Sequence, residues 1–351
     1  MSGRDVTWAS QPTPLIPFRV FSRVSRAPFL RQSGVVTETQ FMIGLRVLCG
    51  LLCICSSSTE NHPASRNTKL SGKLEFHPPH WRPFLMSKSH QTDDSRFIHA
   101  AARGPRDEQQ DAAICLSAPE RGTALLVVSD GVGGQGGGRI ASQKVTELAR
   151  ELWDERHGIM LDPARDLVTF CRKAHDQINE EGAKRGLSPR TTIVALYLTP
   201  TRAYWVHSGD TRLYHFRAGQ LVERTEDHSV LQILVKQGMV AEKDMGTHPD
   251  QGLLLQSLGG EEYKPPAHGM ADIFSEDGFL LCTDGFWERT KPEEMAELLI
   301  CARSQAPLLL EQAVARAVER NGPKGDNVTV ALALPADENV RRQKEAIGIP
   351  Q

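Results

Sequence analysis

The chain has 351 residues, 40% of them hydrophobic, and a formal net charge of −2. A chain of this length can bury one large core or two smaller ones, and its overall charge gives no reason to expect nucleic acid as a partner. The charge is unevenly divided: residues 1–86 carry ten Lys/Arg against four Asp/Glu (+6), which leaves −8 on the remaining 265. An acidic domain therefore follows a basic extension.

The extension covers residues 1–90, where Pro, Ser, Arg and His are scattered without helical or strand period. We expect most of it to be disordered. Its apolar segment, residues 41–55, is about 15 residues long and contains Arg46, whereas a membrane-spanning helix needs roughly 20 apolar residues. Three interpretations stay open: a signal-like core, a weak membrane anchor, or residues that precede a true translation start at Met86.

The cysteines indicate neither a disulfide framework nor a zinc knuckle, because they are odd in number and form no CxxC pair. Cys115 and Cys282 lie inside apolar runs and are predicted core residues. A reducing compartment, the cytoplasm, suits the folded part. The seven cysteines lie at positions 49, 53, 55, 115, 171, 282 and 301.

Apolar runs and helical stretches follow one another closely from Phe97 onward. Short apolar runs bounded by turn residues predict strands, and longer amphipathic stretches predict helices. Strand-like runs separated by tight turns are typical of antiparallel hairpins. The predicted strands are 97–102, 112–117, 123–129, 191–198, 203–207, 212–217, 220–224, 279–283 and 328–334, and the predicted helices are 139–156, 163–184, 229–238, 292–303 and 307–320.

This order of elements predicts an α+β domain over residues 95–336, with antiparallel sheets and helices packed outside them. Residues 248–266 are rich in Gly and Pro and predict a long loop over one end. Long ordered loops are usually functional. Residues 337–351 form a polar tail.

Four aspartates stand beside glycine where apolar runs begin or end. We expect these carboxylates at one rim of a sheet, where strands give way to loops, and the glycines let backbone approach a ligand. Asp111 adds a fifth carboxylate. Oxygen ligands in this number favour Mg²⁺ or Mn²⁺ over zinc. The four are Asp130, Asp210, Asp284 and Asp326.

The glycine run from Gly131 to Gly136 matches the GxGxxG pattern of dinucleotide-binding folds, because it follows a predicted strand and precedes a helix. A second helix comes before the next strand, however, and Asp130 would set a negative charge beside a pyrophosphate. No Lys-Ser/Thr follows, as a P-loop requires. We therefore do not expect a nucleotide cofactor.

Seven segments, in order, resemble the metal-dependent protein phosphatases of type 2C, and most of all their bacterial serine/threonine members. The resemblance covers about residues 97–334 and is specific as an ordered set, although each piece alone is weak. It implies two stacked antiparallel sheets flanked by helices, an α/β/β/α four-layer sandwich with metals at one end. The segments are Arg106–Asp111, Val128–Gly134, Arg190–Thr192, Ser208–Arg212, Glu226–Ser229, Leu281–Trp287 and Gly325–Thr329.

The resemblance also implies the metal ligands. Asp130 should bridge two Mn²⁺ or Mg²⁺ ions, with the Gly131 carbonyl on one of them, and Asp284 and Asp326 should complete the second. Asp111 should hold metal-bound waters or a metal directly.

Two further positions follow from the same resemblance. Asp210 should share a third, weaker metal position with Asp284. Arg106 should grip the substrate phosphate, because its planar fork of donors matches phosphate oxygens. Arg106, Asp130 and Asp284 are thus the expected catalytic residues.

The sequence departs from the family at three positions. Gln110 stands where many relatives have Glu, which weakens one expected metal position. Val132 stands where eukaryotic members often carry a His that can protonate the leaving group, so that acid is unassigned. Arg139 replaces a usual Glu, and we interpret it as a surface residue of the following helix.

Other polar and aromatic residues in the motifs have simpler expected roles. His228 should organise its loop and not bind metal, and Trp287 should be a packing anchor. Thr191 and Thr192 should begin a buried strand.

The resemblance implies a metal-dependent phosphatase that hydrolyses phosphoserine and phosphothreonine in proteins. Its partners would be phosphorylated proteins, in particular a Ser/Thr kinase or the targets of one. The alternative is a pseudophosphatase that binds phosphoproteins without turnover. The three aspartates Asp130, Asp284 and Asp326 argue against that alternative, since a degraded site would be expected to lose at least one.

Overall fold

The computed structural model describes residues 94–134 and 136–335. The predicted extension 1–90, with its apolar segment 41–55, and the polar tail 337–351 lie outside the described residues. No helix within the described part is long and apolar enough to cross a membrane.

Twelve strands and five α-helices make up the described domain, together with two short 3-10 helices at Glu242–Thr247 and Gly322–Lys324. In chain order they are β1 (Phe97–Ala102), β2 (Asp111–Ala118), β3 (Thr123–Val132), α1 (Gly137–Glu155), α2 (Pro163–Arg185), β4 (Arg190–Thr191), β5 (Ile193–Leu198), β6 (Arg202–Ser208), β7 (Arg212–Arg217), β8 (Gln220–Arg224), α3 (Val230–Lys236), β9 (Leu258–Gly259), β10 (Ala267–Asp272), β11 (Asp277–Cys282), α4 (Asp284–Trp287), α5 (Pro292–Asn321) and β12 (Val328–Ala333).

The strands form two antiparallel sheets. One has the order β1-β12-β11-β7-β8, and the other runs β10-β6-β5-β3-β4-β9 with β2 paired to the free side of β3. All strand pairings within the described residues are antiparallel. This is the predicted α+β class, with two sheets flanked by helices.

Three hydrophobic layers hold the sheets and helices together. Alternate residues of a strand point to opposite faces, so β5, which is buried along its whole length, serves two layers. Ile193 and Tyr197 pack with side chains of α1 and α2, whereas Val194 and Leu196 enter the layer between the sheets. The third layer lies between the first sheet and α5. The four-layer α/β/β/α sandwich is thus confirmed.

Local signals explain where the long helices begin and bend. Asp162 caps α2 by accepting a hydrogen bond from the Arg165 backbone N–H at 3.2 Å, and Pro163 occupies its first turn. The two helices predicted over 292–303 and 307–320 are the halves of α5. They meet at Gln305, whose φ of −144° is not helical, just before Pro307. Proline disfavours helical geometry in the residues before it, which accounts for the bend.

The predicted strands and helices are all present, with bounds that shift by a few residues. Cys115 and Cys282 are buried, as expected. Two strands were not predicted: β9, inside the expected long loop, and β10, which forms an edge of the second sheet beside β6.

Candidate metal centre

Asp111 and Asp130 lie directly opposite each other, because β2 and β3 pair with these residues in register. The Asp130 backbone is fixed from the other side by two threonines that are fully buried, as predicted for a strand start. Its N–H donates to Thr192 Oγ1 at 3.0 Å, and its carbonyl accepts from Thr191 Oγ1 at 2.7 Å and from the Thr192 N–H at 2.8 Å. The two threonines therefore orient one carboxylate.

Asp284 begins α4 directly after β11, and the next residue has to be glycine. A Cβ on Gly285 would lie 2.0 Å from the Asn327 carbonyl oxygen, which no side chain tolerates. The Gly285 N–H donates to Asp284 Oδ1 at 2.6 Å. This close approach of backbones brings Asp284 next to the turn that carries Asp326.

Asn327 ties a distant loop to the same turn. Its Oδ1 accepts from the Gln110 N–H at 2.8 Å, and its Nδ2 donates to the carbonyls of Arg103 at 2.8 Å and Glu108 at 3.1 Å. The loop that it holds carries Arg106. This role of Asn327 was not predicted from sequence, although an amide that follows the predicted ligand Asp326 was a signal.

Arg106 contacts the group of carboxylates through a hydrogen bond to Asp326. Its Nη2 donates to Asp326 Oδ2 at 2.7 Å, and its Nε donates to the Gly325 carbonyl at 3.1 Å. Both side chains are about half exposed. The predicted phosphate-binding arginine and one predicted metal ligand thus lie together at the open rim.

Asp210 lies in the turn between β6 and β7 and is nearly buried. Its carbonyl accepts a hydrogen bond from Trp287 Nε1 at 3.1 Å, and the Arg212 guanidinium stacks 3.4 Å from the centre of that indole ring. Arg212 in turn forms two hydrogen bonds with Asp227, of 2.8 and 2.7 Å. Trp287 is a packing anchor, as expected. Asp227 was missed, although a buried arginine at a strand start requires a carboxylate partner.

His228 organises the turn before Asp210. Its ring Nδ1 accepts a hydrogen bond from the Gly209 backbone N–H at 3.2 Å, and its backbone N–H donates to the Gly209 carbonyl at 2.9 Å. The imidazole ring stacks on that of His207. Burial and the His207 ring lower the pKa of His228 to about 4, so the ring is neutral near pH 7. The expected role in the loop is confirmed.

The aspartates share one electrostatic field. Burial, together with the charges of Asp284 and Asp326, raises the pKa of Asp111 to about 8. Burial and the neighbouring carboxylates, Asp111 first among them, hold the pKa of Asp130 well above its usual range. Burial and the Asp326 charge raise the pKa of Asp284 to about 6. Burial and the Asp284 charge likewise raise the pKa of Asp210. Carboxylates that repel one another in this way are stabilised in their charged form when cations bind between them.

The donor set fits hydrated magnesium or manganese. Within the described residues, no three carboxylate, imidazole or thiolate groups enclose a single metal position. Mg²⁺ usually keeps several waters and takes only one or two carboxylates, so such a closed cage is not required. The Gly131 carbonyl oxygen packs close to the first turn of α1, since a Cβ on Gly138 would lie 2.4 Å from it. A set made only of oxygen ligands suits a hard divalent cation.

The three departures from the family pattern lie around the glycine run. Gln110 Nε2 donates to Glu108 Oε2 at 3.3 Å and approaches the Gly133 carbonyl at 3.5 Å. Arg139 is exposed on α1, as expected, and donates to Glu108 Oε1 at 2.6 Å. Val132 is 41% exposed and has no proton to donate. The leaving-group acid stays unassigned.

Comparison with known proteins gives consistent matches. The sequence profile of the family described as protein phosphatase 2C matches residues 104–316. Serine/threonine protein phosphatase PstP of Mycobacterium tuberculosis is 32% identical over 221 residues, which cover 62% of this chain and 41% of that protein. Serine/threonine phosphatase stp of Listeria monocytogenes is 29% identical over 215 residues, which cover 59% and 83% of the two chains.

Solved structures match over the same part of the chain. The crystal structure of the PstP catalytic domain in complex with two manganese ions has a TM-score of 0.58 and 28% identity, and the match covers 69% of this chain and 98% of that one. The matched region is about two fifths of the full-length mycobacterial protein.

Proposed function

Because this chain belongs to the protein phosphatase 2C family, we propose that it hydrolyses phosphoserine and phosphothreonine in proteins, using divalent metal ions. The observation that carries the proposal is the pairing of Asp111 with Asp130 at a rim shared with Asp284, Asp326 and Arg106. The two manganese ions of the related catalytic domain support the choice of cofactor.

The proposed ligands of two Mn²⁺ or Mg²⁺ ions come from four separate segments of the chain. Asp130 would lie between the ions, with the Gly131 carbonyl on one of them, and Asp284 and Asp326 would hold the other. Asp111 would hold metal-bound waters or a metal directly. Such a metal pair supplies an activated water and neutralises phosphoryl charge.

Asp210 is proposed as a ligand of a third metal ion. It would share a third, weaker metal position with Asp284, and burial together with the charge of Asp284 already raises the pKa of its carboxyl group. The hydrogen bond from Trp287 to its backbone supports a fixed orientation of this turn.

Arg106 is the proposed phosphate-binding residue. It sits on the loop that Asn327 ties to the rim, so the guanidinium is held near the carboxylates without being buried. Its planar fork can donate two parallel hydrogen bonds to phosphate oxygens and stabilise charge that builds up on them. Arg106 would thus orient the phosphoryl group, while Thr191 and Thr192 keep Asp130 in place.

The proposed partners are phosphorylated proteins, in particular a Ser/Thr kinase or its targets, and the proposed location of the domain is the cytoplasm. The names of the relatives support serine and threonine as the phosphorylated residues. A pseudophosphatase is disfavoured, since Asp130, Asp284 and Asp326 are all retained.

The test is hydrolysis of p-nitrophenyl phosphate and of a phosphothreonine peptide by the full chain, in EDTA, Mg²⁺ or Mn²⁺, beside the Asp284→Asn variant. Metal-dependent turnover that the substitution abolishes is the expected result. A folded, metal-loaded protein without turnover on either substrate would overturn the proposal in favour of phosphoprotein binding alone.

A further inference from the structure

A groove of about 600 Å³ opens beside the metal centre, between the end of β3 and residues 252–264. One wall begins with Val132, the residue after the proposed ligand Gly131. Arg190 stands next to it, because β4 pairs Arg190 with Val132. The groove therefore begins one residue away from the proposed metal ligand Gly131.

Apolar side chains are exposed along this groove. Val132, Leu253 and Leu255 line it and are 41%, 50% and 41% exposed. Single exposed apolar residues are ordinary, but several that line one groove mark a binding surface. A bound segment that covers these apolar side chains would therefore remove apolar surface from water, which favours binding.

Arg190 is one of two cationic residues that line the groove, with Lys264. It is exposed, and its guanidinium has no hydrogen-bond or ion-pair partner among the described residues. The guanidinium lies flat along Gly260, where an added Cβ would be 2.8 Å from Nε and 3.0 Å from Cζ. Gly260 also has a φ of +82°, which favours glycine. Because Gly260 has no side chain, the Arg190 guanidinium can occupy this space.

The wall behind Arg190 is anchored to α2. Asn179 Nδ2 donates to the Gly260 carbonyl at 2.8 Å, and the Gly260 N–H donates back to Asn179 Oδ1 at 2.8 Å. The Gly259 N–H donates to His175 Nδ1 at 3.1 Å. These contacts hold the wall in place before any ligand arrives, which lowers the entropic cost of binding.

The nearby acidic residues of the groove form no ion pair with Arg190. Glu261 and Glu262 are exposed on the same rim, yet neither forms an ion pair with Arg190. Glu262 lies 4.0 Å from Lys264 instead, and Lys264 also donates to the Leu255 carbonyl at 3.1 Å. An arginine left without an acidic partner beside an apolar groove fits an anionic ligand group.

We propose that this groove binds the stretch of the phosphoprotein next to the phosphorylated residue, and that Arg190 selects an acidic group there. The inference rests on the proposed phosphatase function. A carboxylate of Asp or Glu and a second phosphoryl group share the chemistry that the arginine fork recognises. Arg190 is thus a specificity-determining residue, distinct from Arg106, which would hold the phosphoryl group that is removed.

The test compares kcat/KM for phosphothreonine peptides in which one flanking position at a time carries Asp, Asn, phosphoserine or Ser. At one or two positions, the acidic peptide should be preferred over its neutral match by about two- to fivefold, the size expected of an ion pair at an exposed site. The Asp and phosphoserine arms show which anion is favoured. In Arg190→Gln the preference should fall to about one, and Arg190→Lys should retain part of it, because lysine keeps the charge but lacks the fork.

Arg150→Gln is the matched control, because Arg150 is exposed on α1 outside the groove and should leave the preference unchanged. An equal preference in wild type and Arg190→Gln would overturn the inference. Hydrolysis of p-nitrophenyl phosphate by the wild type checks the phosphatase function separately. Fluorescence anisotropy of the same peptides on Asp130→Asn reports binding without turnover, and equal binding of acidic and neutral peptides would also overturn the role of Arg190.

Discussion

Arg106 donates a hydrogen bond to Asp326 at 2.7 Å, so the proposed phosphate-binding residue and a proposed metal ligand are direct partners. The two proposed roles are in competition, because a carboxylate that binds a divalent cation attracts the guanidinium less. Metal binding at Asp326 would then free Arg106 to turn towards phosphate. The pair would thus link metal occupancy to phosphate recognition.

Replacing Arg106 by alanine should lower kcat/KM for p-nitrophenyl phosphate by about 10²- to 10³-fold, the usual loss when a donor to developing charge is removed. Arg106→Lys should recover only part, because an ammonium group cannot donate in a planar fork. Calorimetric titration with Mn²⁺ should show affinity that is unchanged or tighter, since Asp326 loses its competing cation. Unchanged kcat/KM in the alanine variant would remove Arg106 from the site.

Asp130→Asn should have opposite effects on activity and on stability. Turnover should fall by several orders of magnitude, because the carboxylate proposed to lie between two metals is lost. In EDTA the variant should melt at a higher temperature than the wild type, since burial and four neighbouring carboxylates hold the pKa of Asp130 well above its usual range. Thermal melts in EDTA and in Mn²⁺ give the melting temperature of the protein without metal and with metal.

The control for that experiment is Asp154→Asn, which removes an exposed carboxylate of α1. It should change neither turnover nor the response of the melting temperature to Mn²⁺. Near-normal hydrolysis by Asp130→Asn with its metal content intact would refute the two-metal assignment.

The carboxylate rim was predictable from sequence because its signals are local. An apolar run that ends at Asp-Gly marks a buried strand that approaches a turn. β11 ends just before Asp284 in this way, whereas β3 continues two residues past Asp130. The break in α5 was predictable for the same reason, because Pro307 acts on its immediate neighbours. These features depend on residues only a few positions apart.

Contacts between distant segments were not predictable. The Gln110 N–H and Asn327 Oδ1 are 217 positions apart, and neither residue type indicates the other as its partner. β10 was missed because Gly269 weakens its strand pattern. The structure gives that glycine a packing reason, since a Cβ there would lie 2.4 Å from the Trp205 ring on the neighbouring strand. Strand preference of this kind is set by cross-strand neighbours.

A buried ion-pair cluster away from the metal centre should govern acid stability. Asp277 is fully buried and accepts hydrogen bonds from Arg217 at 2.6 and 3.1 Å. His215 Nε2 lies 3.2 Å away. Burial raises the pKa of Asp277, but His215, Arg217 and the Phe274 N–H outweigh it and leave the pKa below its ordinary value of 3.8. The stabilisation from a lowered carboxyl pKa is present above that ordinary value and is lost as pH falls through the folded-state pKa.

Asp277→Asn should therefore lower the free energy of unfolding at pH 7 by about 3 kcal/mol, the lower end for a broken buried pair, because Arg217 is partly solvated. It should also make the loss of stability below about pH 4 less steep. Urea unfolding of the metal-free protein at pH 7 and pH 3.5 measures both effects. Asp272→Asn is the matched control, since its pair with Arg202 is exposed and should contribute little. Equal effects of the two substitutions would contradict the argument.

The glycine run after Asp130 should be required for packing at Gly131 and not throughout. A Cβ on Gly131 would lie 2.1 Å from the Gly138 carbonyl oxygen, whereas a Cβ on Gly134 meets nothing within 4 Å. Gly131→Ala should therefore push α1 away from β3 and displace Asp130, with a large loss of both turnover and melting temperature. Gly134→Ala should change the melting temperature little, because Gly134 is exposed at the surface. Thermal melts and p-nitrophenyl phosphate hydrolysis compare the pair, and a Gly131→Ala protein as stable and active as Gly134→Ala would show that the close backbone approach is not needed.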